Sequence, residues 1–71
     1  MKLKESKTAR GVTEVGPGDY IKVCGAWVKI ESNTAFGETR TPKNWVIKDV
    51  HGGSYGMFDV SRYAKAGDLV D

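Results

Sequence analysis

The chain has a single histidine, His51, and a single cysteine, Cys24, so any acid–base or nucleophilic chemistry has few groups to draw on. His51 precedes Gly52 and Gly53 in a turn-forming stretch, where an imidazole is ordinarily solvated. Cys24 stands before Gly25 with no base beside it, so it reads as an ordinary thiol rather than an activated nucleophile. Asp49 and Asp59 lie on the two sides of the His51 turn and could approach each other, as an acid/base pair must. Strand-end carboxylates are more commonly surface charges. The glycine-rich pieces "GPGD" and "HGGS" lack both the spacing and the following helix of a phosphate loop or dinucleotide fingerprint. One cysteine excludes an internal disulfide, and a Cys/His metal site would have to recruit carboxylates or a second chain. No catalytic residue, metal or cofactor is assigned, and the chain acting alone is expected not to be an enzyme.

The elements that would carry these residues are short. Residues 1 to 11 have little apolar content and are expected to form a flexible basic arm, with a single domain over residues 12 to 71. "VTEV" suits a short strand, and "GPGD" a turn. In "DYIKV" the period is two: Ile21 and Val23 share one face, Tyr20 and Lys22 the other. A tight reversal at Cys24-Gly25 leads into "AWVKIE", where Ala26, Val28 and Ile30 share the inward face and Trp27, Lys29 and Glu31 point outward. Residues 32 to 43 read as a long loop anchored by Phe36. "NWVIKDV" and "SYGMFDV" should pair as a hairpin across Gly52-Gly53, with Trp45 on the core parity of Ile47 and with Phe58 and Val60 filling the interior. "SRYAKAG" suits one helical turn, capped by Ser61 and ended by Gly67.

The expected fold class is therefore all-β: a small five-stranded antiparallel SH3-like barrel with a basic N-terminal arm and a short C-terminal helical turn. "GDYIKVCGAWVKI", the loop ending in Thr41-Pro42, and "HGGSYGMFDVSRYAK" resemble in layout the small SH3-like barrel proteins, among them the plasmid-type dihydrofolate reductases. The resemblance spans about residues 18 to 66. In those reductases a Val-Gln-Ile-Tyr motif lines a pore between four subunits. The matching positions here are Tyr55-Gly56-Met57-Phe58, without the substrate-contacting glutamine, so the resemblance implies the barrel and not the reductase activity.

Charge and exposure narrow the function classes. Residues 1 to 15 carry Lys2, Lys4, Lys7 and Arg10 against Glu5 and Glu14, whereas residues 16 to 71 hold seven bases and seven acids. All the net charge of +2 thus lies in the N-terminal segment, and a neutral body weakens a nucleic-acid reading. No apolar run approaches the roughly 20 residues of a membrane span, and no signal-peptide core follows Met1, so a cytoplasmic location and no membrane partner are expected.

Period two sends Tyr20, Lys22, Trp27, Lys29, Tyr55 and Met57 outward, the residue types enriched at binding surfaces. The leading expectation is a non-enzymatic protein-binding module. Such an adaptor or inhibitor, of the kind found as bacterial or phage accessory proteins, would present that face to a larger protein. The alternative is a nucleic-acid-binding barrel that uses Lys2, Lys4, Lys7 and Arg10 of the arm with Arg40 and Lys43 of the loop 38 to 45. A distant third is a homo-oligomeric enzyme whose site forms only between subunits.

Overall fold

The computed structural model describes residues 2–3 and 11–70. Its chain order is β1 (Lys2–Leu3), a 3-10 turn (Gly11–Thr13), β2 (Tyr20–Val23), β3 (Ala26–Asn33), β4 (Ile47–Asp49), β5 (Ser54–Tyr55), β6 (Val60–Ala64), a second 3-10 turn (Ala66–Asp68) and β7 (Leu69–Val70). Five strands form one antiparallel sheet in the order β5-β4-β3-β2-β6, curled into a half-barrel. β1 and β7 make a separate antiparallel pair, Lys2 opposite Val70 and Leu3 opposite Leu69. Part of the expected arm is thus in a strand, and residues 4–10 lie outside the described residues.

Turn chemistry fixes the β2–β3 register. Cys24 (φ 50°) and Gly25 (φ 80°) both sit in left-handed backbone, the pair of positive values that a two-residue type I′ hairpin demands. Val23 then faces Ala26, Lys22 faces Trp27, Ile21 faces Val28 and Tyr20 faces Lys29. A non-glycine residue in this conformation is uncommon, and the hairpin twist supplies the reason for it here.

Two elements differ from expectation. "VTEV" is no strand: Glu14 and Val15 both donate backbone N–H groups to Gly11 O, and the 3-10 turn lets Val12 and Val15, three residues apart, reach the interior together. "SRYAKAG" is not helical at its start. Val60–Ala64 pairs antiparallel with β2, Tyr63 opposite Ile21 and Arg62 opposite Lys22. The register shifts between Lys22 and Val23, so that Val60 faces Val23 and Ser61 is left over, its hydroxyl donating to Lys22 O. Val and Tyr favour the pleated sheet, and only the residues beyond them, Ala66–Asp68, make a single 3-10 turn.

The core is Val12, Val15, Ile21, Ile30, Ala35, Trp45 and Ile47, with Val23, Val28, Tyr55, Val60 and Tyr63 packed against it. Trp45 is buried, as its shared parity with Ile47 requires. Asn33 stitches the 3-10 turn to β3. Its Nδ2 donates to Val12 O and Val15 O, and its Oδ1 accepts from Ala35 N–H. The loop after β3 turns back at once, and the Phe36 ring lies over Gly16 so closely that a Cβ there would come within 2.8 Å of it. Phe36 therefore caps the Val12–Asp19 segment.

Asp19 closes the same end of the molecule. Its carboxylate accepts from Gly16 N–H, Ala66 N–H and Lys65 Nζ at 2.9, 3.0 and 2.8 Å. Burial pushes this carboxyl up. The hydrogen bonds from Lys65, Gly16 and Ala66, with the Lys65 charge, outweigh burial and hold it below the usual range.

Candidate functional site

The opposite end of the sheet gathers the residues whose types suggested chemistry. Val23 lies opposite Val60, which brings the Cys24-Gly25 turn beside the β5–β6 connection. Asp49 organises the β4–β5 loop. Its Oδ1 accepts from the backbone N–H groups of His51 and Gly53, both at 2.8 Å, and its Oδ2 accepts the Tyr55 hydroxyl proton at 2.5 Å. The Tyr55 and Gly53 hydrogen bonds lower the Asp49 carboxyl below its ordinary value, helped by the His51 N–H and charge and opposed by burial. The same bond raises the Tyr55 phenol, to which burial and the nearby Asp49, Cys24 and Asp59 add. Every Asp49 acceptor is thus engaged in holding a loop, which suits a structural carboxylate better than a proton shuttle.

Asp59 does for the next turn what Asp49 does for the loop. Its Oδ2 accepts from Gly56 N–H at 2.9 Å, while its own N–H donates to Gly56 O at 3.0 Å. The turn is closed by both a backbone and a side-chain hydrogen bond, with Met57 and Phe58 at its two central positions. Met57 is 54% exposed and Phe58 95% exposed. The expected interior role of Phe58 is therefore corrected: the "SYGMFDV" run breaks at Gly56, and the period-two parity assigned across it does not hold. Gly56, with its free backbone, and Asp59, with a carboxylate that can bond a nearby backbone N–H, are two turn-favouring residues three apart and mark that break in the sequence. Val50 (45% exposed) and the exposed His51 stand on the neighbouring loop.

The expected outward face is divided. Tyr20 is 4% exposed and so does not belong to it; Ala64, its neighbour across β6, is buried as well, so this part of the outer face is covered. Tyr55 is half-buried with its hydroxyl on Asp49. Lys22 and Trp27 are half-buried partners across β2–β3, with Lys22 Nζ 5.7 Å from the centre of the Trp27 ring. Lys29 is exposed one step along β3, and Met57 belongs to the separate turn. The Phe36 loop, seated on Gly16, is accounted for without covering Trp27.

Arg40 and Lys43 are exposed in the loop between β3 and β4. Lys4, Lys7 and Arg10 lie outside the described residues, and of Lys2 only the backbone pairing is described. Sequence parity did not single out Arg62 and Lys48, which the strand registers bring to the Lys22 and Lys29 side of the sheet. Cys24 is an exposed free thiol. Among the described residues no three His, Cys, Asp or Glu side chains cluster as metal ligands would, and no helix is long and apolar enough to cross a membrane.

No protein-family model, curated protein or solved structure matches the chain.

Proposed function

We propose that this chain is a small non-enzymatic protein-binding module, an adaptor or inhibitor, that seats Met57 and Phe58 in an apolar pocket of a larger partner protein. The observation that supports this reading is Phe58, almost wholly in water on a turn tied at both ends by Asp59. Burying a phenylalanine side chain is worth roughly 2–3 kcal/mol, and nearly all of that gain remains for a partner to collect. A turn already closed by two hydrogen bonds loses little freedom on binding. Val50 and His51 would form the rim, and the sheet behind them a rigid platform. On this reading the curled sheet is an SH3-like barrel with a cytoplasmic role, and Asp49 and Asp59 serve as turn ties rather than as catalysts.

The test is a pull-down from bacterial lysate with the tagged full chain, nuclease-treated, alongside Phe58→Ser and Met57→Ser. A protein retained by the wild type and lost with Phe58→Ser, at unchanged circular dichroism and melting temperature, is the expected result. Equal retention by the variant would remove Phe58 from the interface. If the substitution altered only self-association in the ultracentrifuge, the occupant would be a second copy of the chain and the adaptor reading would fail.

A further inference from the structure

The neutral charge of residues 16 to 71 conceals a sorting of signs. Strand register places Arg62, Lys22 and Trp27 in one row across β6, β2 and β3. Lys29 follows two residues along β3 on the same side, in the next row with Tyr20, and Val50 N–H donates to Lys29 O, which carries that second row onto the end of β4. Lys48, two residues before Val50, shares its side of the sheet. Four of the seven bases of this stretch thus project from one sheet face.

Most of the described acids are elsewhere. Asp49 and Asp59 tie turns, Asp19 is bonded to Lys65, and Glu38 and Asp68 lie in connections. Of the two acids within these strands, Asp49 is buried at the end of β4, and Glu31, exposed at the β3–β4 register shift two residues after Lys29, is the one acid beside the four bases. Among the described residues the only ion pair is Lys65–Asp19, so the four bases of the face have no carboxylate partner there.

We propose that this face binds single-stranded nucleic acid, with Arg62, Lys22, Lys29 and Lys48 on successive phosphates and the Trp27 ring under an unpaired base. Strands about 4.8 Å apart put β6 and β4 about 14 Å apart across the sheet, and Lys48, opposite Ser32, stands roughly 16 Å further along β3 than the Arg62 row, a span suited to a run of phosphates rather than to one small anion. An aromatic ring set among cations is the combination that single-strand binding uses, stacking for the bases and charge for the backbone. Lys22, resting over the Trp27 ring, is free to swing onto a phosphate and vacate the ring for a base. This surface is separate from the Met57–Phe58 turn and goes beyond the protein-binding reading.

The experiment is fluorescence anisotropy of a labelled oligothymidylate of about twelve nucleotides against the full chain over a salt series. Four phosphate contacts to a single strand predict a log–log salt slope near about −2.8, and each Lys29→Gln, Lys48→Gln or Arg62→Gln substitution should reduce it by about 0.7. These side chains are exposed, so the variants should fold, and a thermal melt checks that they do. Trp27→Leu should weaken binding on the order of ten-fold with the slope unchanged. Phe58→Ser should change nothing, which keeps the two surfaces distinguishable.

Undetectable binding at about 20 mM salt, where phosphate contacts are strongest, overturns the proposal. It is also overturned if the slope survives the face substitutions but disappears when Lys2, Lys4, Lys7 and Arg10 are changed to Gln. Equal affinity for duplex, together with indifference to Trp27→Leu, would remove the single-strand assignment.

Discussion

The Tyr55 hydroxyl bonds to Asp49 Oδ2 directly across Gly53, so that a Cβ on Gly53 would stand 2.6 Å from Tyr55 Oη and 2.7 Å from Asp49 Oδ2. Two residues of neighbouring strands close a hydrogen bond only because the third has no side chain. The β4–β5 loop follows from this contact, and so do the first two predictions.

Gly53→Ala should force the Tyr55–Asp49 bond apart and lower the melting temperature. In Tyr55→Phe the bond is already gone and one of the two clashing atoms is missing, so adding Gly53→Ala there should cost less. A double-mutant cycle in urea measures this, and a coupling of about 0.5–3 kcal/mol is expected for groups in direct contact. Strict additivity would show that the bond does not cross Gly53 in solution.

The pH dependence follows from the directions of the two shifts. Asp49 is held below its ordinary value, so its stabilising effect is present above the unfolded value of about 3.9 and lost as pH falls through the lower folded one. Tyr55 is held above its ordinary value, so its effect is complete below about 10 and lost as pH rises through the higher folded one. Urea melts of wild type and Tyr55→Phe should therefore differ by a constant amount near neutrality and converge at both extremes.

At the other end, Lys65→Met should bring acid unfolding to higher pH. Burial drives the Asp19 carboxyl up, and Lys65 is the largest of the opposing influences. Asp19 depressed in the fold stabilises above the unfolded carboxylate value and loses that effect as pH falls through the folded one, so weakening the depression shortens the stable range from the acid side. At neutral pH the half-exposed Lys65 should matter by less than about 1 kcal/mol. Asp19→Ala, which also strands the Gly16 and Ala66 N–H groups, should cost about 1–3 kcal/mol.

Two large aromatics should answer oppositely to truncation. Phe58→Ser is expected to leave stability within about 0.5 kcal/mol of wild type, because the ring touches water and little else. Trp45→Ala, which empties the core beside Ile47, should cost about 3–5 kcal/mol and could abolish folding in so small a domain. Chemical denaturation of both variants gives the comparison directly.

What could be read in advance was local. Cys24-Gly25 announces a reversal, and the alternation of Ile21, Val23, Val28 and Ile30 around it sets one face inward, as found. Trp45 follows from Ile47 by the same rule. Parity failed where strands do not simply continue. Tyr20 alternates correctly with Ile21, yet it is buried because the outer face is covered at that point, a tertiary fact with no local signature. Period two sends Phe58 inward only if one strand runs through Gly56, where the chain turns instead. Residues 61 to 64 suit a helical turn locally because their strand pairing depends on β2, about forty residues earlier, and on leaving Ser61 out of register. The basic face was the least visible feature, since Arg62, Lys22, Lys29 and Lys48 become neighbours only when four strands are laid side by side.

That arrangement gives the molecule an electric moment that its small net charge conceals. Isoelectric focusing responds to the sum of charges and would see a weakly basic protein. A cation-exchange matrix responds to the face turned toward it, and at low ionic strength the chain can present Arg62, Lys22, Lys29 and Lys48 together while its aspartates are engaged in turns and in the Lys65 ion pair. Retention on such a matrix should therefore exceed what the isoelectric point implies, and the surplus should fall stepwise as those four side chains are neutralised.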